Sequence, residues 1–109
     1  MNKIAIASSS GVNVDEHFGH AKYWQIYEKT DGKYQFLEQR ITNAYCKGNC
    51  ENGFLHITSK LSDCDGIFVA KIGPSAAAAM TQKNIRVFEC GAYTPVEDLL
   101  EEISAEYSP

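Results

Sequence analysis

The stretch Tyr23-Trp24-Gln25-Ile26-Tyr27-Glu28-Lys29-Thr30-Asp31-Gly32-Lys33-Tyr34-Gln35-Phe36-Leu37-Glu38-Gln39-Arg40-Ile41-Thr42 reads as two β-rich runs, Tyr23 to Lys29 and Tyr34 to Thr42. They are joined by Thr30-Asp31-Gly32-Lys33. Asp-Gly between such runs predicts a hairpin, because a type I′ turn needs positive φ at both central positions. The aromatics Tyr23, Trp24, Tyr27, Tyr34 and Phe36 alternate along it and read as sheet packing rather than a base-stacking platform. Upstream, Lys3 to Ser8 is a short apolar run, read as a buried strand. Downstream, Gly66 to Ile72 has the character of a central strand, and Ile85 to Cys90 is the last strand.

Three helices fall between and after these strands. Phe54, Ile57 and Leu61 sit at i, i+3 and i+7 and predict a helix from about Gly53 to Leu61. Gly73-Pro74-Ser75 opens an alanine-rich helix, with proline in the first turn where its missing N–H costs nothing. Thr94-Pro95-Val96-Glu97 reads as a capping box with proline at N1, followed by an apolar face of Val96, Leu99, Leu100 and Ile103. The order is β-β-β-α-β-α-β-α. A meander of the first three strands and two right-handed helical crossovers then give an α/β fold. The expected sheet is ribonuclease H-like, mixed and five-stranded, in order 3-2-1-4-5 with strand 2 antiparallel, flanked by three helices.

The 109 residues are expected to form one domain, with a core large enough to fold without disulfides or metal. A net charge of −4 gives no basic stripe, which argues against nucleic acid as a partner. No apolar run approaches a membrane span, and the start Met1-Asn2-Lys3-Ile4-Ala5-Ile6-Ala7 turns polar too soon for a signal peptide. The expected location is cytoplasmic, where the four cysteines would be thiols.

In open α/β sheets, sites form beyond the carboxyl ends of the parallel strands. The predicted topology brings Ser8 to Gly11, His17 and His20, Cys46 and Cys50, Gly73 and Cys90 to that one rim. Two imidazoles and two thiols there suit a soft metal or a metal–sulfur cluster. The alaninic helix starts at the same rim, and its amides and dipole favour an anion. Each residue also has a plainer reading. His17 and His20 fit a solvated loop, Gly11, Gly19, Gly48 and Gly73 fit backbone turns, and Cys90 fits a small buried hydrophobe. Cys64 lies at the opposite end, and His56 falls off the helical stripe. No Walker or dinucleotide glycine pattern is present. Strand 1 carries no carboxylate, and Asp63 and Asp65 sit at the beginning of strand 4, so nuclease-like two-metal chemistry lacks its ligands and no enzyme activity is expected.

Several of these residues together resemble a known family. They are Ser8/Ser9 and Gly11, His17-Phe18-Gly19-His20-Ala21, Tyr23-Trp24-Gln25-Ile26-Tyr27-Glu28, Asp63-Cys64-Asp65, and Ile72-Gly73 with Ala76-Ala77. From about residue 3 to 103 the chain is similar to the dinitrogenase iron–molybdenum cofactor biosynthesis domain. This is the NifX-like domain, found also in cofactor carriers and at the end of the NifB-type maturase. The resemblance implies a ribonuclease H-like fold and binding of an iron–sulfur or iron–molybdenum–sulfur cluster during its assembly or transfer. It implies His17 and His20 as ligand positions. Cys46 and Cys50 enter as metal ligands on the topology argument alone, and Ser9, Gly11, Gly19 and Gly73 complete the expected cofactor-binding set.

The reading is a small cluster-binding or carrier domain, related to nitrogen fixation or another pathway, whose partners are the metallocluster assembly proteins that donate or accept the cargo. The alternatives are a single-metal, zinc-type site of Cys46, Cys50 and His17 or His20, a thiol redox or sensing module, and a structural domain that binds only a protein partner.

Overall fold

The structure is a computed structural model that describes residues 2–42, 57–91 and 94–106. Along the chain come β1 (Lys3–Ala7), β2 (Asn13–Val14), a 3₁₀ turn (Phe18–His20), β3 (Tyr23–Thr30) and β4 (Lys33–Ile41). A helical segment at 57–60, α1, follows. The remainder is β5 (Gly66–Val69), α2 (Pro74–Gln82), β6 (Arg86–Glu89), β7 (Thr94–Pro95) and α3 (Val96–Glu106).

The hairpin forms where the sequence places it. Asp31 and Gly32 have φ of 53° and 82°, both in the left-handed region that a right-twisted two-residue turn requires. Thr30 pairs with Lys33 and the ladder runs on to Tyr23 opposite Ile41. One irregularity interrupts it: Tyr27 faces Phe36 but Ile26 faces Glu38, so Leu37 is an extra residue on β4. The bulge reverses the facing of everything beyond it. Phe36 stays with Tyr27, the rings 5.7 Å apart and edge-on, whereas Glu38 and Arg40 move to the other face.

The main sheet has the order β4-β3-β1-β5-β6. β3 is antiparallel to both β1 and β4, and β5 and β6 run parallel to β1. Period-two alternation along β1 divides the core. Ala5 and Ala7 face one layer with Trp24, Ile26, Ile67 and Val69, covered by Ile57, Leu61, Ala76 and Met80. Ile4 and Ile6 face the other, with Phe68 and Ala70, beneath Val96, Leu99 and Ile103 of α3. The small residues on the first face leave room for two large rings. Phe18 packs edge-on to Trp24 with centroids 6.1 Å apart. The Trp24 indole N–H is satisfied by Thr42 Oγ1 at 2.9 Å.

Two features depart from the sequence reading. The segment before His17, expected to be irregular, contributes β2, which pairs with β7 in a separate antiparallel ladder. Thr94 and Pro95 are therefore strand residues, and α3 starts at Val96 rather than with proline at N1. Thr94 does not hold the expected capping position, because Pro95 is the residue preceding α3, and the Thr94 hydroxyl donates upstream to the Cys90 carbonyl at 2.7 Å. The Val96 N–H, at the start of the helix, donates across to the Val12 carbonyl at 2.8 Å. Tertiary pairing has taken over what a local cap would otherwise do.

Candidate functional site

The rim at the carboxyl ends of β1, β5 and β6 is built from backbone bonds more than from side-chain packing. Past β1, Ser8 is buried and its carbonyl accepts the Gln25 Nε2–H at 2.8 Å. Its hydroxyl donates to the Asn13 carbonyl and accepts the Gly11 N–H at 2.8 Å. Gly11 has φ +81°, the conformation that lets the chain turn back so tightly. Ser9 is held by Asp15, which accepts the Ser9 N–H and hydroxyl at 2.9 Å each. The Asp15 and Glu16 N–H groups then both return to the Ala7 carbonyl, at 3.2 and 3.3 Å. Ser9 and Gly11 thus sit in a loop that satisfies its own donors.

Beyond it the chain runs parallel to the continuation of β5. The Ala70 N–H donates to the Glu16 carbonyl at 3.0 Å, and the Phe18 N–H to the Lys71 carbonyl at 2.8 Å. His17 bridges to Lys71 between these bonds. That pairing carries an exposed imidazole to a point two residues from Gly73, the residue preceding α2. Phe18, fully buried, pulls the peptide inward and leaves His17 outside. Gly19 is half-buried within the 3₁₀ turn, which ends at His20. The side chain of His20 lies outside the description, as do Cys46 and Cys50 altogether. Among the described residues, no three of His, Cys, Asp and Glu come together as a metal cage.

Gly73 is exposed, with φ −78° and ψ 159°. A Cβ built there would meet nothing within 4 Å. Neither backbone strain nor packing requires glycine at this position. Pro74 follows at N1, so the first free amides of α2 belong to Ser75 and Ala76. The preceding Ile72 N–H donates to Glu89 Oε2 at 3.0 Å. Three carboxylates of the rim therefore end on backbone donors: Asp15 on Ser9, Glu89 on Ile72, and Glu16 on Lys22, whose N–H it accepts at 2.6 Å. Lys22 and Lys71 are exposed on the same rim. Among the described residues, what the rim offers an anion is therefore limited to the first amides of α2 and the two lysines.

The sequence reading did not single out Asp15, Glu16, Lys71 or Glu89. Only the position of Asp15-Glu16 directly before His17 hinted at a role, and carboxylates in a loop look like any solvated surface until the backbone partners are known. Of the two described cysteines, Cys64 precedes β5 at the opposite end of the sheet, whereas Cys90 follows β6 at the rim, its N–H donating to the Val69 carbonyl at 2.8 Å. Cys64 is buried beside Asp63, and burial first, then that carboxylate, pushes its thiol up to about 12. Cys90 is half-buried, pushed up to about 11 by burial and then by Glu102. Both are protonated at neutral pH.

The chain resembles several known proteins. It is 33% identical over 104 residues to the FeMo cofactor biosynthesis protein NifB of Klebsiella pneumoniae, covering 89% of this chain and 22% of that protein. It is 31% identical over 96 residues to NifB of Bradyrhizobium diazoefficiens, covering 86% and 19% respectively. The chain thus spans about a fifth of the length of the curated relatives it matches. Among solved structures, PH0822 superposes with a TM-score of 0.72 at 17% identity, over 95% of this chain and 91% of that one. The NMR structure of a putative NifB protein from Thermotoga, TM1290, gives 0.62 at 20%, over 96% and 89%. These two likenesses show a shared fold. Residues 1–106 match the dinitrogenase iron-molybdenum cofactor family, and the chain belongs to that family.

Proposed function

We propose that this chain is a single domain that binds a metal–sulfur cluster, of iron–sulfur or iron–molybdenum–sulfur type, as cargo in metallocofactor assembly and passes it to a partner protein. In this reading it catalyses no reaction of its own and works in the cytoplasm. The observation that carries it is the placement of His17. His17 is exposed, and its backbone bridges to Lys71, two residues before Gly73 and the start of α2, in a chain of the dinitrogenase iron-molybdenum cofactor family. The donor set fits such cargo. Clusters carry negative charge and open iron positions, which imidazole and thiolate ligate, while backbone N–H groups hydrogen-bond the sulfides. His17 and His20 would supply imidazole and Cys46 and Cys50 thiolate. Ser9, Gly11, Gly19 and Gly73 would form the non-covalent wall, Ser9 and Gly11 by shape alone, since their N–H groups already donate to Asp15 and Ser8. A mixed imidazole and thiolate set, rather than a closed cage of four cysteines, suits a carrier, which has to release what it holds. The relatives named NifB are FeMo cofactor biosynthesis proteins, which supports other assembly proteins as donor and acceptor.

The test is anaerobic reconstitution with ferrous iron and sulfide, followed by iron and sulfide analysis. Broad visible absorption with both elements in stoichiometry is expected. Replacing His17 and His20 by alanine is expected to weaken cluster binding while changing stability by no more than roughly 0.5 kcal/mol, as for other surface-loop substitutions. A colourless protein that yields zinc to a chelator would replace this reading with a single-metal site.

A further inference from the structure

Glu16 immediately precedes the segment His17-Phe18-Gly19-His20, and its bonds reach both ends of it. Its backbone is fixed on two sides, with the N–H on the Ala7 carbonyl at 3.3 Å and the carbonyl accepting Ala70 N–H at 3.0 Å. Its side chain turns forward past the whole segment. Oε2 accepts the Lys22 N–H at 2.6 Å and lies 3.5 Å from the Tyr23 nitrogen. A ring is thereby closed around residues 17 to 21. Inside it the Ala21 N–H donates to the Phe18 carbonyl at 3.4 Å to complete the 3₁₀ turn. Phe18 is anchored in the core against Trp24.

We propose that Glu16 is a positioning residue for the cargo site. By holding the Lys22 amide it fixes the backbone separation of His17 and His20, and with it the spacing at which two imidazoles meet a cluster. This inference rests on the reading of those histidines as ligands. The geometry supports it because a side chain that reaches from the beginning of a ligand segment to the residues after it removes that segment's freedom before anything binds. Ordering then does not have to be supplied by the cargo. A carboxylate suits the role, since a charge-assisted bond to N–H is shorter and stronger than a neutral one. Reach is the decisive property. Aspartate keeps the charge but falls about 1.5 Å short, one C–C bond. Glutamine keeps the reach and still presents an acceptor oxygen.

The full chain is reconstituted anaerobically with ferrous iron and sulfide as wild type, Glu16→Gln, Glu16→Asp, His17→Ala and His20→Ala. Three quantities are measured: iron loss to a chelator, histidine nitrogen couplings of the reduced cluster by pulsed electron paramagnetic resonance, and Lys22 amide exchange in the metal-free protein. Glu16→Asp is expected to expose the Lys22 amide to exchange, to lose one of the two nitrogen couplings and to release iron about tenfold faster or more. Glu16→Gln is expected to stay close to wild type in all three. If Glu16→Asp keeps both couplings and wild-type retention while the histidine variants lose theirs, Glu16 has no positioning role and the ligand reading stands. If Glu16→Gln loses cargo and Glu16→Asp keeps it, charge rather than reach matters and the proposal is overturned. Wild-type retention in both histidine variants would instead remove the histidines as ligands, and the proposal with them.

Discussion

His17 stays exposed because its neighbour does not: Phe18 is buried against Trp24, so adjacent residues hold one side chain in the core and the other at the surface. Gly73, close by on the rim, is the residue whose side chain the protein could most easily accept, since its φ is negative and a Cβ there meets nothing within 4 Å. Gly73→Val is therefore expected to cost at most about 1 kcal/mol in urea unfolding, as a change of capping residue. In the anaerobic titration it is expected to weaken cluster binding by crowding the ligand side. Wild-type affinity would mean that the cargo does not approach Gly73. The described cysteines give a second residue-scale expectation. With thiols pushed up to about 11 for Cys90 and about 12 for Cys64, both are expected to alkylate slowly at pH 7.5, and Cys64 more slowly than Cys90. Peptide mapping by mass spectrometry gives the rates, and a fast-reacting Cys64 would contradict its burial. The cysteine pair 46 and 50, which the rim argument placed near the histidines, lies outside the described residues.

At the scale of elements, the turn of the β3–β4 hairpin was legible to the residue because Asp31-Gly32 specifies it locally, and the strand ends lie within one residue of the reading. The bulge at Leu37 was not. Strict alternation puts Phe36 and Arg40 on one face, and only the register reveals that they part. The bulge aims Arg40 at the connection before β5. Its guanidinium grips both oxygens of Asp63, at 2.6 and 2.9 Å, and also donates to the Lys60 carbonyl at 2.8 Å. Lys3 Nζ joins from β1 at 3.1 Å. The Arg40 guanidinium first, and Lys3 with it, holds the Asp63 carboxyl well below the usual carboxylate range. A depressed carboxyl contributes stability that is present above its ordinary value of 3.8 and is lost as pH falls below it. The Asp63 side chain is 45% exposed, so screening limits the contribution to about 1 kcal/mol. Asp63→Asn is accordingly expected to be less stable than wild type at pH 7, with the difference shrinking steadily below pH 3.8 in acid-dependent urea melts. A constant difference down to strong acid would show that the link contributes no charge stabilisation.

For the whole molecule, the five strands of the main sheet and the positions of α2 and α3 followed from local signals, and crossover handedness then left few ways to join the parallel strands. The β2–β7 ladder escaped notice because two-residue strands have no period to detect, and Thr94-Pro95-Val96-Glu97 satisfies a capping pattern that the fold does not use. The site was legible as a location, since strand direction alone brings residues to a rim. Its wiring was not, because the carboxylates of Asp15, Glu16 and Glu89 find their partners in backbone amides, and the sequence does not say which N–H groups are left over.

The bridge from His17 to Lys71 also has a kinetic consequence. The β3–β4 hairpin joins near neighbours in the chain and closes on the order of microseconds. The parallel pairing of β1 with β5 links Ile4 to Gly66, and such distant closure is slow. The Phe18 amide finds its partner in the Lys71 carbonyl, on the continuation of β5, so this bond is expected to follow that pairing. In pulse-labelling during refolding, the Phe18 amide is thus expected to gain protection later than hairpin amides such as that of Glu28, and simultaneous protection would contradict this order. If the histidines hold cargo as proposed, a half-folded chain would carry both in its sequence without yet having the rim that positions them, and only molecules that have finished folding would accept it.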